Sequence, residues 1–378
     1  MTTPDIYQKL AAHLDNLPGG FASPQDENGQ RILRRLFTPE QAELALHLNM
    51  IGEEPRVIAH RANIPVEEAA DLLEEMSLKG LIYRSISAEG RPTYMAFQFV
   101  VGIWEAQVNN LSPELVHDVD QFLHEHFDFD VWQKSPQMRT IPVGESITTG
   151  LGILPYEQAE TLVLGEEKIS LTPCICRKER NLVGLGCEKP LETCMGFGEG
   201  ADFYIDNGLG RAIDQQTALE VLRTADEAGL VLQVGNAKAA TFICCCCGDC
   251  CGVLRNLKRH PKPAEVAASP FYAEVDEGLC DACATCEERC QMEAIHVNGF
   301  ANVDLSRCIG CGLCVTTCPT QAVSLVRKSE AETLAVPTTY ANSLIHLGKT
   351  RGVLSNAELV KMMARSKADR LIALQEKK

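Results

Sequence analysis

The sequence predicts an α+β protein built from several domains. The chain has 378 residues, which exceeds the roughly 100–200 residues of a typical single domain. Apolar residues make up 45% of it, so each part can form a core and wholesale disorder is excluded. All 18 cysteines lie between Cys174 and Cys318. A cysteine-free, helix-patterned first part is therefore followed by a cysteine-rich part in which helix and strand patterns alternate.

Charge and hydropathy limit the partners of this chain. It carries 35 basic and 51 acidic residues, a formal net charge of −16, which disfavours nucleic-acid phosphates and anionic lipid. No apolar run reaches the roughly 18 residues of a membrane helix. The N-terminal MTTPDIYQKL lacks the basic and apolar regions of a secretory signal. We therefore expect a cytoplasmic protein without a membrane span, where clustered cysteines indicate metal rather than disulfides.

The cysteine-free part predicts helices followed by a hairpin. Residues 1–35 are interpreted as short helices or an arm. For residues 36–110, capping residues and apolar spacing predict a helix from Thr38, helices near Arg56–Ala62 and over Val66–Lys79, and strands over Leu81–Arg84 and Thr93–Val101 around a turn at Ala88–Pro92.

This element order resembles the winged helix-turn-helix superfamily. The helix that would read DNA in that fold carries five carboxylates: Glu67, Glu68, Asp71, Glu74 and Glu75. Residues 36–110 contain eleven acidic and five basic residues. Because phosphates repel such a surface, we interpret the segment as a scaffold for protein contact rather than as a DNA reader.

Further along the chain, periodicity predicts a second series of elements. These are helices over Pro113–His126, near Tyr156–Leu164 and over Asp214–Ala228, strands over Ile169–Thr172 and Val231–Val234, and helices over Gly252–Lys258 and Asn356–Leu374. The last helix belongs to a basic tail containing Lys361, Arg365, Lys367, Arg370, Lys377 and Lys378. This tail is expected to fold back on the acidic protein or to dock on a partner.

The strongest motif is a repeated cysteine spacing. The pattern C-x2-C-x2-C-x3-C occurs twice, at Cys280, Cys283, Cys286 and Cys290, and at Cys308, Cys311, Cys314 and Cys318. It resembles bacterial two-cluster ferredoxins. In that arrangement three closely spaced cysteines surround one face of a [4Fe–4S] cluster, and the fourth binds the other cluster. Zinc ribbons, the alternative, favour two well-separated CxxC pairs.

The resemblance implies two crossed ligand sets. Cluster 1 would be held by Cys280, Cys283, Cys286 and Cys318, and cluster 2 by Cys308, Cys311, Cys314 and Cys290. One position departs from the pattern, because Gln291 stands where the second motif has Pro319. That departure removes no ligand.

Ten further cysteines form a separate set of candidate ligands: Cys174, Cys176, Cys187, Cys194, Cys244, Cys245, Cys246, Cys247, Cys250 and Cys251. Neighbouring side chains on a strand point to opposite faces, so the run of four serves two sites. We favour one or two further iron–sulfur clusters that join the CxC pair to the CCxxCC box. Zinc and thiol redox chemistry stay open as alternatives. Arg177 and Arg180 could donate to sulfur, but we favour the interpretation that both are ordinary surface cations.

The motif order CICR, GC, ETC, YI-x-x-G and CCxxCC before a ferredoxin resembles the 4Fe–4S dicluster-domain proteins of anaerobes, over about residues 150–325. That resemblance implies electron transfer. Within it, Cys246-Cys247-Gly248 is similar to the CCG motif of heterodisulfide reductases, which would imply a non-cubane cluster.

These observations divide the chain into a helical arm and winged-helix-like domain (1–110), a cysteine-rich domain (111–268), a two-cluster ferredoxin domain (269–328) and a helical tail (329–378). We predict an iron–sulfur electron-transfer protein that serves a partner redox enzyme. The alternatives are an oxidoreductase, or a subunit of one, that reduces a small molecule or disulfide at the cysteine-rich site, and a redox-responsive regulator. No nucleotide-binding fingerprint occurs. Homo-oligomerisation is left open.

Overall fold

The computed structural model describes residues 5–87, 89–148 and 150–375. The chain forms two compact units: residues 1–126, 202–209 and 344–378 make the first, and residues 127–201 and 210–343 make the second. Helices and strands are mixed, as an α+β chain requires. All 18 cysteines and the ferredoxin segment belong to the second unit, whereas residues 111–126 and 202–209 of the predicted cysteine-rich domain belong to the first. The four-segment division of the sequence stays a prediction. In the described ranges no helix is long and apolar enough to cross a membrane.

The helices are α1 (Ile6–Asp15), α2 (Glu27–Leu36), α3 (Pro39–Ala45), α4 (Pro55–Ala62), α5 (Val66–Leu78), α6 (Pro113–Glu125), α7 (Phe129–Lys134), α8 (Ala159–Leu164), α9 (Ile175–Leu182), α10 (Gly198–Asp206), α11 (Gln215–Glu227), α12 (Gly252–Arg259), α13 (Pro263–Val266), α14 (Thr285–Arg289), α15 (Leu313–Thr316), α16 (Tyr340–Thr350) and α17 (Asn356–Gln375). The strands are β1 (Ile82–Ile86), β2 (Pro92–Ala96), β3 (Met138–Ile141), β4 (Ile169–Pro173), β5 (Glu192–Phe197), β6 (Arg211–Ile213), β7 (Val231–Gly235), β8 (Phe242–Cys246), β9 (Phe271–Val275), β10 (Ile295–Asn298), β11 (Phe300–Val303) and β12 (Val323–Arg327).

The first unit contains the predicted helices and hairpin of residues 36–110. Thr38 caps α3 by accepting the Gln41 N–H at 3.2 Å, as its sequence position predicts. Strands β1 and β2 pair antiparallel. The predicted strand over Thr93–Val101 is too long, because β2 ends at Ala96. Beyond it, Val100 and Val101 keep extended backbone angles but belong to no strand, and Phe99 is buried. The predicted turn includes Ala88, which lies outside the described residues.

The C-terminal helix α17 folds back onto α4 within this unit. Arg61, at the end of α4, bonds Asp369 of α17 at 2.6 Å and the buried Glu53 at 2.6 Å. Ser366 donates to Glu53 at 2.5 Å. A buried cation with two carboxylate partners holds the tail to its own chain, which is one of the two outcomes expected for it. Lys377 and Lys378 of the predicted basic tail lie outside the described residues.

A six-stranded sheet organises the cysteine-rich part of the second unit. Its order is β3-β7-β8-β5-β4-β6, and every neighbouring pair is antiparallel. Strand β8 carries three cysteines into the middle of this sheet, where Cys244 lies directly opposite Cys194 of β5. Strands β3, β5, β6 and β8 were not among the predicted elements. Strand β8 consists largely of cysteines, and β3 and β6 have only four and three residues.

The ferredoxin segment has its own small sheets. Strands β9 and β12 pair antiparallel at its two ends, and β10 and β11 form a hairpin between the cysteine motifs. Its short helices α14 and α15 each follow a cysteine loop. Arg289 at the end of α14 donates to the Leu313 carbonyl of α15 at 2.9 Å and bonds Asp226 of α11 at 2.6 Å. These contacts fix the segment against α11 of the same unit.

A second ion pair anchors the last strand of the ferredoxin segment. Arg327 contacts both carboxylate oxygens of Glu157, at 2.8 and 2.9 Å, and the Glu157 side chain is only 4% exposed. Removing Arg327 leaves the buried Glu157 carboxylate with the Leu154 N–H at 2.8 Å but without its ion-pair partner, which is costly for a buried charge.

We expect Arg327→Met to destabilise the second unit by about 3 kcal/mol, which lowers its melting temperature by roughly 6–12 °C. Anaerobic scanning calorimetry measures this. Arg211→Met is the matched control, because the Arg211–Glu192 pair is about half exposed on both sides and is worth less than about 1 kcal/mol. Equal shifts in the two variants would contradict a structural role for the Arg327–Glu157 pair.

Candidate metal centres

The two cysteine loops of the ferredoxin segment have the same backbone path. Ala282 and Gly310 occupy equivalent positions with φ of 59° and 62°, and Ala284 and Gly312 follow with φ of 63° and 79°. Left-handed backbone at these positions turns the chain tightly between successive cysteines. A side chain at Gly310 would collide with the Phe271 carbonyl, whereas the first loop accepts alanine. The sequence repeat is thus also a structural repeat.

Backbone N–H groups point at the sulfur atoms in both halves of this repeat. Ala294 donates to Cys290 at 3.2 Å, and Ala322 donates to Cys318 at 3.2 Å. Equivalent bonds reach the first cysteine of each motif, from Ala301 to Cys280 at 3.4 Å and from Ala273 to Cys308 at 3.3 Å. Such donors favour sulfur that carries negative charge, as in a metal thiolate.

The structure brings one predicted ligand set to a single cavity. Cys308, Cys311, Cys314 and Cys290 all line it, although Cys290 comes from the other motif. Of the other set, Cys280 and Cys283 lie near Cys286, where burial and then these two thiols raise the pKa of Cys286. The assignment of Cys318 to that set stays a prediction.

The thiols around the cavity fit a cationic metal group. Burial raises the pKa of Cys311 to about 12, with Cys290 and Cys308 adding to the shift, and burial likewise raises the pKa of Cys314 well above its usual value. Buried thiols of this kind ionise only when a cation compensates them. A four-thiol site with backbone N–H donors matches the needs of a [4Fe–4S] cluster.

Comparison with known families agrees with this geometry. Residues 301–324 match the 4Fe-4S binding domain. The matched stretch contains Cys308, Cys311, Cys314 and Cys318. No curated protein and no solved structure matches the chain. The 4Fe-4S binding domain and the cysteine-rich region together indicate an iron–sulfur protein with an electron-transfer role.

Six of the remaining ten cysteines form one connected set, which we call the sheet thiol group: Cys174, Cys176, Cys194, Cys244, Cys246 and Cys251. Strands β5 and β8 supply Cys194, Cys244 and Cys246. Cys174 precedes α9 and Cys251 precedes α12, each as the residue that caps the helix. The sheet therefore joins the CxC pair to the CCxxCC box, as the favoured interpretation of the sequence requires.

Hydrogen bonds between thiols distinguish the members of the sheet thiol group. Contacts from Cys176 and Cys194 hold the pKa of Cys174 well below its ordinary value, and contacts from Cys176 and Cys246 do the same for Cys251. The pKa values of Cys176 and Cys194 are raised correspondingly. Two helix N-termini reach this group through their capping cysteines, and their backbone N–H groups favour thiolate there.

A second set, the loop thiol group, consists of Cys187, Cys247 and Cys250, whose sulfur atoms all lie within 4.8 Å of one another. The Sγ atom of Cys187 is 3.8 Å from that of Cys247 and 3.6 Å from that of Cys250. A contact from Cys250 lowers the pKa of Cys247 to about 5, and Arg177 supports that shift.

Arg177 lies between the two thiol groups and is fully buried. Its guanidinium donates to Cys247 Sγ at 3.8 Å, to the Cys245 carbonyl at 3.1 Å and to Thr193. Burial alone would lower its pKa, but the nearby thiolates, led by Cys174 and Cys194, raise it. The expectation of a surface cation is wrong for Arg177, because the fold of α9 turns its side chain inward.

The alternation expected for the cysteine run holds only within β8, which ends at Cys246, and Cys247 lies beyond that strand. Cys244 and Cys246 belong to the sheet thiol group, Cys247 belongs to the loop thiol group, and Cys245 is buried outside both. Sequence reasoning did not find the role of Gln291, whose side-chain oxygen accepts the Gly248 N–H at 2.8 Å. The sequence signal for this contact was that Gln291 follows Cys290 where Pro319 follows Cys318 in the second motif.

Proposed function

We propose that this chain is an electron-transfer protein that accepts and delivers single electrons through two [4Fe–4S] clusters in residues 269–328 and one further cluster on the sheet thiol group. One-electron reduction and reoxidation is the chemistry that such clusters supply when bound. The observation that carries the proposal is the cavity lined by Cys290 together with Cys308, Cys311 and Cys314. It combines cysteines from both motifs, as crossed ligand sets require.

The chain's own residues hold and tune these sites. Cys280, Cys283, Cys286 and Cys318 would bind cluster 1, and Cys308, Cys311, Cys314 and Cys290 would bind cluster 2. Backbone N–H donors to sulfur stabilise the reduced, more negative state. Acidic neighbours of the first loop, Asp281, Glu287 and Glu288, oppose reduction there and lower the potential of cluster 1.

The first cysteine loop is the part of the ferredoxin segment that a redox partner would reach. Cys283 is exposed, whereas Cys308 and Cys314 are buried. Asp281 and Glu288 beside it are also accessible to solvent. A redox partner with a basic face would therefore dock at this loop, and its affinity would fall as salt screens the charges.

The first unit is proposed to contact protein rather than DNA. On α5, Glu67, Glu68, Asp71 and Glu75 are exposed, while Glu74 is held by Arg84 and Tyr94. A phosphate backbone would meet carboxylates along this helix. The winged-helix-like order of α3, α4, α5 and the β1–β2 hairpin then serves as a docking scaffold.

Redox titration of the anaerobically purified chain tests the function. We expect at least about twelve irons per chain, from three [4Fe–4S] clusters, and reversible uptake of at least two electrons followed by EPR. Reoxidation by an external acceptor should return the starting spectrum. Fewer than about eight irons, or reduction that is not reversible, would contradict electron transfer through this module.

A further inference from the structure

The loop thiol group has the spacing of a mononuclear metal site. In a tetrahedral site with metal–sulfur bonds of about 2.3 Å, ligand sulfurs are about 3.8 Å apart. Cys187 Sγ lies 3.8 Å from Cys247 Sγ and 3.6 Å from Cys250 Sγ. The distances therefore match one ion shared by three thiolates.

Cluster-type cysteines in the same chain are spaced differently. Among the residues that the structure describes, the loop thiol group is the one set of three or more candidate ligands whose atoms all lie within 4.8 Å of one another. The four cysteines that line the ferredoxin cavity do not form such a set, which agrees with cubane ligation, in which each thiolate would bind a separate iron. The sheet thiol group does not form one either.

We infer that Cys187, Cys247 and Cys250 bind a single zinc ion with three thiolates, leaving the fourth position to water or another exogenous ligand. This site is separate from the clusters of the proposed function and does not depend on them. Thiolates select zinc among the divalent ions that lack redox chemistry, and three protein ligands with one open position are typical of exchangeable or reactive zinc.

Charge and access at the site agree with this inference. Zn²⁺ and the Arg177 guanidinium, 3.8 Å from Cys247 Sγ, together balance three thiolate charges. Cys187 is half-buried in a loop beside the exposed Gly186, so an ion reaches the site from solvent. Gly248 lies between Cys247 and Cys250 in the sequence, and its N–H donates to the side-chain oxygen of Gln291 at 2.8 Å. A side chain at Gly248 would collide with the Gln291 carbonyl. The loop is thus fixed in its ligating form.

Metal analysis of the full-length holoprotein tests the inference. The anaerobically purified chain, equilibrated with zinc alone and desalted, should retain about one zinc per chain with about three sulfur neighbours at about 2.3 Å in X-ray absorption. Cys187→Ala should lose that zinc and keep the wild-type iron content. Cys245→Ala, which changes a buried cysteine of the same run outside both groups, should keep both metals.

Each other result overturns the assignment. If Cys187→Ala lowers iron instead of zinc, the loop thiol group belongs to an iron–sulfur cluster. If neither metal changes, the three thiols bind none. Cys187 lies in a loop, so its replacement changes no helix or strand. Unchanged iron content shows in addition that the Cys187→Ala variant is folded. Cys250→Ala, measured in the same way, should repeat the loss of zinc.

Discussion

Replacing Cys290 and Cys308 together by alanine is expected to remove about four irons per chain, whereas replacing Cys280 and Cys290 together should remove about eight. In the crossed arrangement Cys290 and Cys308 bind the same cluster, so the first double variant loses only that one. Cys280 and Cys290 bind different clusters, so the second loses both. The structure places Cys290 on the same cavity as Cys308.

This comparison is balanced, because both double variants remove two thiols and share Cys290. Iron content and the EPR signal of the reduced protein are measured anaerobically. An uncrossed arrangement predicts the reverse order of iron loss, so the two hypotheses cannot give the same result. Loss of about eight irons in both variants would show that the two ferredoxin clusters assemble only together, and it would contradict independent sites.

Arg177→Met should produce the largest loss of stability among single substitutions of charged residues in the second unit. It leaves the Cys245 carbonyl and the Thr193 hydroxyl without their donor and removes the buried cation between the two thiol groups. Breaking a buried charged contact costs about 3–5 kcal/mol, which corresponds to a melting temperature lower by roughly 6–20 °C.

Anaerobic calorimetry of two further variants separates charge from packing. Arg177→Lys keeps the cation but loses the planar fork of donors, so its melting temperature should lie between those of the Arg177→Met variant and the wild-type protein. Arg223→Met lies on the exposed side of α11. Like other surface substitutions, it should change the free energy of unfolding by no more than about 0.5 kcal/mol. A melting temperature for Arg177→Met equal to that of the Arg223 control would refute the buried role of Arg177.

Local patterns accounted for much of the secondary structure. Capping residues and apolar spacing predicted α4, α5, α11 and α12 within one or two residues, because these helices satisfy their hydrogen bonds locally. The strands of the central sheet were largely missed. Strand β8 consists mostly of cysteines, and its strand conformation follows from pairing with β5 and β7, which are distant in sequence.

By itself, the sequence predicted which residues carry the chemistry. The spacing of the cysteines in residues 280–318 dictates two tight loops, since consecutive ligands two residues apart must turn around one centre. It also predicted that a run of four cysteines serves two sites, because side chains alternate along a strand. In the structure Cys247 joins the second group from beyond the end of β8.

Only the tertiary structure decided how the other ten cysteines are divided. Antiparallel pairing of β5 with β8 brings Cys194 opposite Cys244, and a separate loop carries Cys187 to Cys247 and Cys250. It also turned Arg177 into the interior between the two thiol groups. The physical reason is that contacts between distant segments depend on strand register and on charge compensation in the core, which no local spacing specifies.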